Sequence, residues 1–151
     1  KFSIECVKEL VDKFPNQIIG VKDSTYNLFE KLNIKNFSVL PGSELKLIKG
    51  LELGCTGIIT ATCNATAALA RKVYDDFFEK KKQTNNEKLC NVRKVFDQFN
   101  LISGLHSFFM RENEIYENIL PPLSILNEGD RKKLFEDLKK LDFKIDITRA
   151  A

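Results

Sequence analysis

Three short, mostly β-branched runs constrain this chain more than any other feature. They are Gln17-Ile18-Ile19-Gly20-Val21-Lys22, Phe37-Ser38-Val39-Leu40 and Gly57-Ile58-Ile59-Thr60. They begin at roughly 20-residue intervals with one helical pattern between each pair, which is the spacing of right-handed βαβ units and a parallel sheet. Ahead of the first run, Val7, Leu10, Val11 and Phe14 fall at i, i+3, i+4 and i+7. That predicts a helix over 3–14, with Ser3 as N-cap and Pro15-Asn16 as its stop. Asp23 and Ser24 are suited to cap a helix carrying Leu28, Phe29 and Leu32. Another helix is expected over 43–53, with Gly54 at its left-handed C′ position.

After Asn64 the pattern changes and no further strand is expected. Helices are predicted over 65–82 and 87–103, separated by the polar break Gln83-Thr84-Asn85-Asn86. Gly104 is read as separating off a shorter apolar segment with Leu105, Phe108 and Phe109, and Pro121-Pro122 as a second break. Asp130 is read as the cap of a last helix bearing Leu134, Phe135, Leu138 and Leu141, and the tail past Phe143 is expected to fray. A parallel sheet needs both faces covered, and three strands offer little surface for so many helices. The expectation is the C-terminal part of a larger α/β fold, open or closed, and the start at Lys1-Phe2-Ser3 without a methionine agrees with a piece of something longer.

Composition excludes several classes. With 43% hydrophobic and 30% charged residues among 151, the chain reads as a soluble globular protein. The net charge of +3, from 24 basic and 21 acidic residues, is too mild and mixed to argue for nucleic acid. No apolar run approaches the roughly 20 residues that span a bilayer. Cys6, Cys55, Cys63 and Cys90 have no CxxC spacing and read as reduced thiols of a cytosolic protein. A single histidine, His106, excludes a multi-histidine metal site and argues against a Ser–His–Asp triad. Neither GxGxxG nor GxxxxGK[ST] occurs, so nucleotide binding has no support.

Lys22 stands out as the charged end of an apolar strand. Ligands of parallel α/β folds bind at the carboxyl ends of strands, where a partly desolvated lysine gives up its proton more readily and becomes an amine nucleophile toward a ketone. Equally, Lys22 can leave the sheet and extend its amine into water. Gly42 is either turn punctuation or bare backbone facing a ligand, and Glu44 suits the first turn of a helix in any case. The run Gly57–Thr62, with Thr60 and Ala61 within it, suits both tight packing and close approach of a small substrate. The basic clusters Lys80-Lys81-Lys82 and Arg131-Lys132-Lys133 read as solvated helix faces.

The run Pro15-Asn16-Gln17-Ile18-Ile19-Gly20-Val21-Lys22-Asp23-Ser24 resembles the Schiff-base lysine strand of the dihydrodipicolinate synthase / N-acetylneuraminate lyase family. Pro41-Gly42-Ser43-Glu44 is similar to that family's glycine-plus-acid turn. The segment from Gly54 to Asn64 is similar to its Gly-x-x-Gly-x-Ile-Ser/Thr-x-x-x-Asn pattern, and Leu120-Pro121-Pro122-Leu123 to the proline pair before its last helix. The resemblance runs in order from about Phe2 to Phe143.

It implies a (β/α)8 barrel, here as the sixth to eighth strands (a partial barrel, 1–82) followed by a C-terminal helical extension (83–151). It implies class I aldolase chemistry on pyruvate or another 2-keto acid, with Lys22 forming the Schiff base and an aldehyde as the second partner. Neither metal nor nucleotide is implied as cofactor. Ile59 would line the keto-acid site through its backbone, with Thr60 beside it, and Gly42, Glu44 and Ala61 would meet the rest of the substrate. Ala61 lacks the hydroxyl that sialic-acid lyases place there, which argues against that substrate. His106-Ser107-Phe108-Phe109 is bulkier than the family's usual stretch, and Glu117-Asn118-Ile119 lacks an arginine often found before the proline pair.

The family's Thr-Thr carboxylate clamp and proton-relay tyrosine would precede Lys1; Tyr26 follows the lysine and is not that tyrosine. The implied whole protein is a cytoplasmic homodimer or homotetramer. It would be a dihydrodipicolinate synthase-like enzyme or, alternatively, a 2-keto-3-deoxy sugar acid aldolase or N-acetylneuraminate lyase. A non-catalytic α/β assembly module is the reading of another class. For the chain alone the expectation is an inactive, self-associating or marginally stable protein. Its Ile18, Val21, Val39 and Ile58 would face inward without an opposing barrel wall.

Overall fold

The computed structural model describes residues 1–145. The first helix, α1 (Ile4–Lys13), forms as its 3.6-residue pattern predicts; Ser3 Oγ accepts the Cys6 N–H at 3.1 Å and closes its first turn. Two strands follow, β1 (Gly20–Asp23) and β2 (Ser38–Pro41), paired in parallel with Val21 opposite Val39 and Lys22 opposite Leu40. A 3-10 turn (Glu44–Lys46) and α2 (Leu47–Glu52) occupy the helix expected over 43–53. Gly54 ends it at φ 85°, a conformation costly for any residue with a Cβ.

Three expectations for this region need correction. The described residues form a two-strand sheet, not about three strands. Residues 57–60 lie beside β2, with the Ile59 N–H donating to Pro41 O at 3.1 Å. A parallel ladder also needs the facing residue to donate back, and Pro41 has no N–H to give. The helix carrying Leu28, Phe29 and Leu32 is also absent. In its place the buried Asp23 carboxylate accepts the backbone N–H groups of Thr25 (3.2 Å), Leu28 (2.9 Å) and Phe29 (3.0 Å), folding the segment into a loop with Tyr26 at φ 56°. Finally, Val21 and Val39 do not face an empty barrel interior. Strand side chains alternate between faces, and these two pack with Val7, Leu28, Phe29, Leu32 and Cys55 on the α1 side. Lys22 and Leu40 take the opposite face.

By contact density the chain divides into two units, one of Lys1–Thr60 with Tyr74–Lys82, the other of Ala61–Val73 with the chain from Gln83 onward. Helix α3 (Cys63–Phe78) contributes to both; it begins and ends earlier than the predicted 65–82. The predicted helix 87–103 is two helices, α4 (Asn86–Phe96) and α5 (Leu101–Phe109). Asn100 starts the second, its side chain accepting the Ser103 N–H at 3.1 Å, so Gly104 lies inside α5 and is not a separator. The last helix, α6 (Glu128–Lys140), is capped by Asn127 instead of Asp130. Asn127 Oδ1 accepts the Asp130 N–H at 2.9 Å and its Nδ2 donates back to the Asp130 carboxylate at 2.8 Å.

Val92, Val95, Phe96, Leu105, Leu126, Leu134 and Leu138 form the core of the second unit. Full burial contributes about 1.5–3 kcal/mol for each large side chain such as Phe96 and Leu134. The Pro121–Pro122 peptide bond is cis. The tail expected to fray past Phe143 falls, from residue 146 on, outside the described residues.

Candidate active site

Because β1 and β2 are parallel, their carboxyl ends lie together. That places Lys22 and Asp23 beside Leu40 and Pro41. Lys22 is exposed, on the sheet face away from the valine core. The chain leaves β2 through Gly42, whose N–H donates to Asp23 O at 3.0 Å. Gly42 fits here because a Cβ would lie 2.9 Å from Ser24 Oγ and 3.1 Å from Ser24 Cα, closer than side chains tolerate. Ser43 then starts the 3-10 turn, its Oγ accepting the Leu45 N–H at 3.3 Å.

Glu44 is fully buried, and its carboxylate accepts the Thr60 hydroxyl at 3.0 Å. A buried carboxylate is costly unless hydrogen-bonded, and the Thr60 hydroxyl supplies one such bond. Together with the Ile59–Pro41 backbone bond it moors 57–60 to 41–44 at the strand ends. Ile59 stays 48% exposed, with its backbone N–H held by Pro41 O.

Of the residues singled out from the sequence, Gly42, Glu44, Ile59 and Thr60 are thus gathered beyond the carboxyl ends of β2 and of the strand that carries Lys22. Ala61 belongs to the second unit, where it packs against that unit's core and its C=O accepts Asn64 Nδ2 at 2.8 Å.

Sequence reasoning undervalued Asp23, taken for a helix cap and found to anchor the whole loop after Lys22. The Asp-Ser-Thr composition of that turn carried the signal. Lys46 covers the rings of Tyr26 at 5.3 Å and Phe29 at 6.0 Å, and so holds the loop from the side of the 3-10 turn. Behind it, burial and then the nearby Asp23 charge push the Cys55 thiol above its ordinary range, so it stays neutral. Arg93 carries no motif, yet its Nη1 donates to Thr62 Oγ1, at the end of the run 57–62, at 3.3 Å within the second unit. Residues 31 apart, one in the turn before α3 and one on α4, leave no local sequence signal.

His106 is structural: Nδ1 contacts Tyr116 O at 2.8 Å and ties the 3-10 turn Glu114–Glu117 to α5. Among the described residues no group of three or more His, Cys, Asp or Glu side chains could hold a metal ion. No helix among them is long and apolar enough to cross a membrane.

A curated relative, the 2-dehydro-3-deoxy-D-gluconate/2-dehydro-3-deoxy-phosphogluconate aldolase of Picrophilus torridus, is 25% identical over 130 residues, 82% of this chain and 48% of the relative. The fold resembles that of dihydrodipicolinate synthase from Aquifex aeolicus (TM-score 0.82, 20% identity, 95% of this chain and 52% of that one). It also resembles an E. coli K12 prophage protein of the dihydrodipicolinic acid synthase family solved with pyruvate (TM-score 0.74, 22% identity, 94% and 52%). The chain therefore spans about half the length of these relatives. The dihydrodipicolinate synthetase family model matches residues 1–141, and the chain belongs to that family.

Proposed function

We propose that this chain carries the nucleophile-bearing part of a class I, pyruvate-dependent lyase or synthase. The single observation that carries the reading is the placement of Lys22. It lies next to the carboxyl end of a parallel strand, on the solvent-facing side, in a family fold, with Gly42, Glu44, Ile59 and Thr60 gathered at the same strand ends. In its neutral form the Lys22 amine adds to the keto carbon of pyruvate, and loss of water leaves an iminium. The iminium draws electrons from the adjacent C–H bond. A base removes that proton to give an enamine, which attacks an aldehyde carbon; hydrolysis then releases the product and the amine. Run backwards, the same steps cleave a 2-keto-3-deoxy acid.

In this reading, residues 1–82 are the closing part of a (β/α)8 barrel and the residues from 83 onward a C-terminal extension. The carboxylate clamp and the proton relay come from outside these residues, and the 151-residue chain alone is inactive. Ile59 and Thr60 present backbone to the keto acid, and Gly42, Glu44 and Ala61 meet the second substrate. No metal or nucleotide takes part, and the working protein is a cytoplasmic homo-oligomer. The aldolase relative from Picrophilus torridus favours 2-keto-3-deoxy sugar acid cleavage as a second reading beside dihydrodipicolinate synthase-like condensation. Ala61, with no hydroxyl, speaks against sialic acid.

The test is substitution of Lys22 in the protein expressed from its complete coding sequence. Lys22→Arg keeps the charge, but a guanidinium stays protonated and cannot attack a carbonyl. Lys22→Arg and Lys22→Ala should both abolish turnover, and wild-type-like turnover in either rules Lys22 out.

A further inference from the structure

The short segment after Thr60 is held more firmly than a surface turn needs. Ala61 O accepts both the backbone N–H (3.2 Å) and the side-chain Nδ2 (2.8 Å) of Asn64. Thr62 is fully buried, and its carbonyl accepts Ala65 N–H at 2.8 Å, Thr66 N–H at 2.9 Å and Thr66 Oγ1 at 3.0 Å. Onto its hydroxyl comes Arg93 from α4. The Arg93 side chain is 11% exposed, with Nη1 donating to Thr62 Oγ1 at 3.3 Å and Nε to Asp97 Oδ1 at 2.8 Å. A guanidinium donates in two directions from one rigid plane, so Asp97 fixes the fork and the fork fixes Thr62. A lysine, with a single flexible ammonium, cannot hold both.

We propose that Arg93 is a positioning residue for the second substrate: by clamping Thr62 it sets the backbone of the adjacent Ala61. This rests on the reading of Ala61 as a contact for the aldehyde part of the substrate. Arg93 touches neither substrate. Through this clamp the helical extension contributes to choosing the aldehyde while leaving the Lys22 chemistry alone.

The experiment uses protein expressed from the complete coding sequence, pyruvate, and two aldehydes. D-glyceraldehyde is what remains when pyruvate is removed from 2-keto-3-deoxygluconate. Aspartate 4-semialdehyde is what remains when it is removed from the dihydrodipicolinate skeleton. Arg93→Met and Thr62→Val delete the same bond from opposite sides, so the test survives misfolding of either one.

The expected result is a KM for the aldehyde raised about tenfold in both variants, the scale of one hydrogen bond to a charged group. The pyruvate KM and the rate of Lys22 adduct formation should stay within about twofold, a change too small to reflect a lost contact. Thr62→Ser, which keeps the hydroxyl, should behave as wild type, and Arg93→Lys should fall between. Equal changes in both KM values, or none, overturn the inference while leaving Lys22 as nucleophile. So does a wild type that traps pyruvate but turns over neither aldehyde. A wild type that traps no pyruvate removes the catalytic reading and this inference with it.

Discussion

Asp23 offers the sharpest test of how the loop after Lys22 is built. Its carboxylate is 2% exposed and serves three backbone donors, with Oδ1 taking Thr25 and Oδ2 taking Leu28 and Phe29. Leaving a buried N–H without an acceptor costs about 1–3 kcal/mol. Leu28 and Phe29 share Oδ2, so each loss is about 1–2 kcal/mol, with Thr25, part-buried, at about 1 kcal/mol. Asp23→Ala should therefore destabilise the loop by about 3–5 kcal/mol, a large share of the 5–15 kcal/mol typical of a whole domain.

Asp23→Asn retains one carbonyl oxygen, which can keep Leu28 and Phe29 while its NH₂ faces the Thr25 N–H, at a cost of about 1–2 kcal/mol. Amide hydrogen exchange reads this directly. The Leu28 and Phe29 amides should exchange about a hundredfold to a few thousandfold faster in Asp23→Ala, and about tenfold faster in Asp23→Asn. Unchanged protection at both amides in Asp23→Ala would refute the anchoring role.

Three further outcomes follow from the same geometry. The raised Cys55 thiol favours the neutral form in the fold, so its contribution to stability is complete below about pH 9 and is lost as pH rises through the higher folded value. Alkaline denaturation curves should show that loss in wild type and not in Cys55→Val. Gly42→Ala sets a methyl against Ser24 and should destabilise by about 1–3 kcal/mol in urea unfolding, partly restored by Ser24→Gly; a neutral Gly42→Ala contradicts the close approach. The 151-residue chain, with Ile19 68% and Ile59 48% exposed and no strand paired to the outer edge of β1 among the described residues, should self-associate in sedimentation, whereas a clean monomer counts against an open edge there.

Local patterns carried much of the fold. The Val7–Phe14 face and Ser3 announce α1, and the recurring β-branched runs announce the parallel pair and its direction. Gly54 marks its helix end. The failures share a cause: a local signal was outvoted by a hydrogen bond that spacing cannot reveal. Asp23 looked like a cap and became a loop anchor because its three donors curl back within six residues. The third strand stays incomplete beside Pro41, whose missing N–H is visible in the sequence but meaningful only once its neighbour is known.

Asn100 breaks a helix that the apolar rhythm carries straight through. In the candidate site, Lys22, Gly42 and Glu44 stand out by motif. The Thr60 hydroxyl on Glu44 and the Arg93 grip on Thr62 join positions 16 and 31 apart and emerge only from folding.

The central claim is that Lys22 is the nucleophile, and borohydride reduction in the presence of pyruvate tests it most directly, with the modified peptide mapped by mass spectrometry. Protein from the complete coding sequence should gain one reduced pyruvate adduct, on the peptide containing Lys22, and Lys22→Arg should gain none. An adduct on another lysine, or no adduct at saturating pyruvate, would contradict the account.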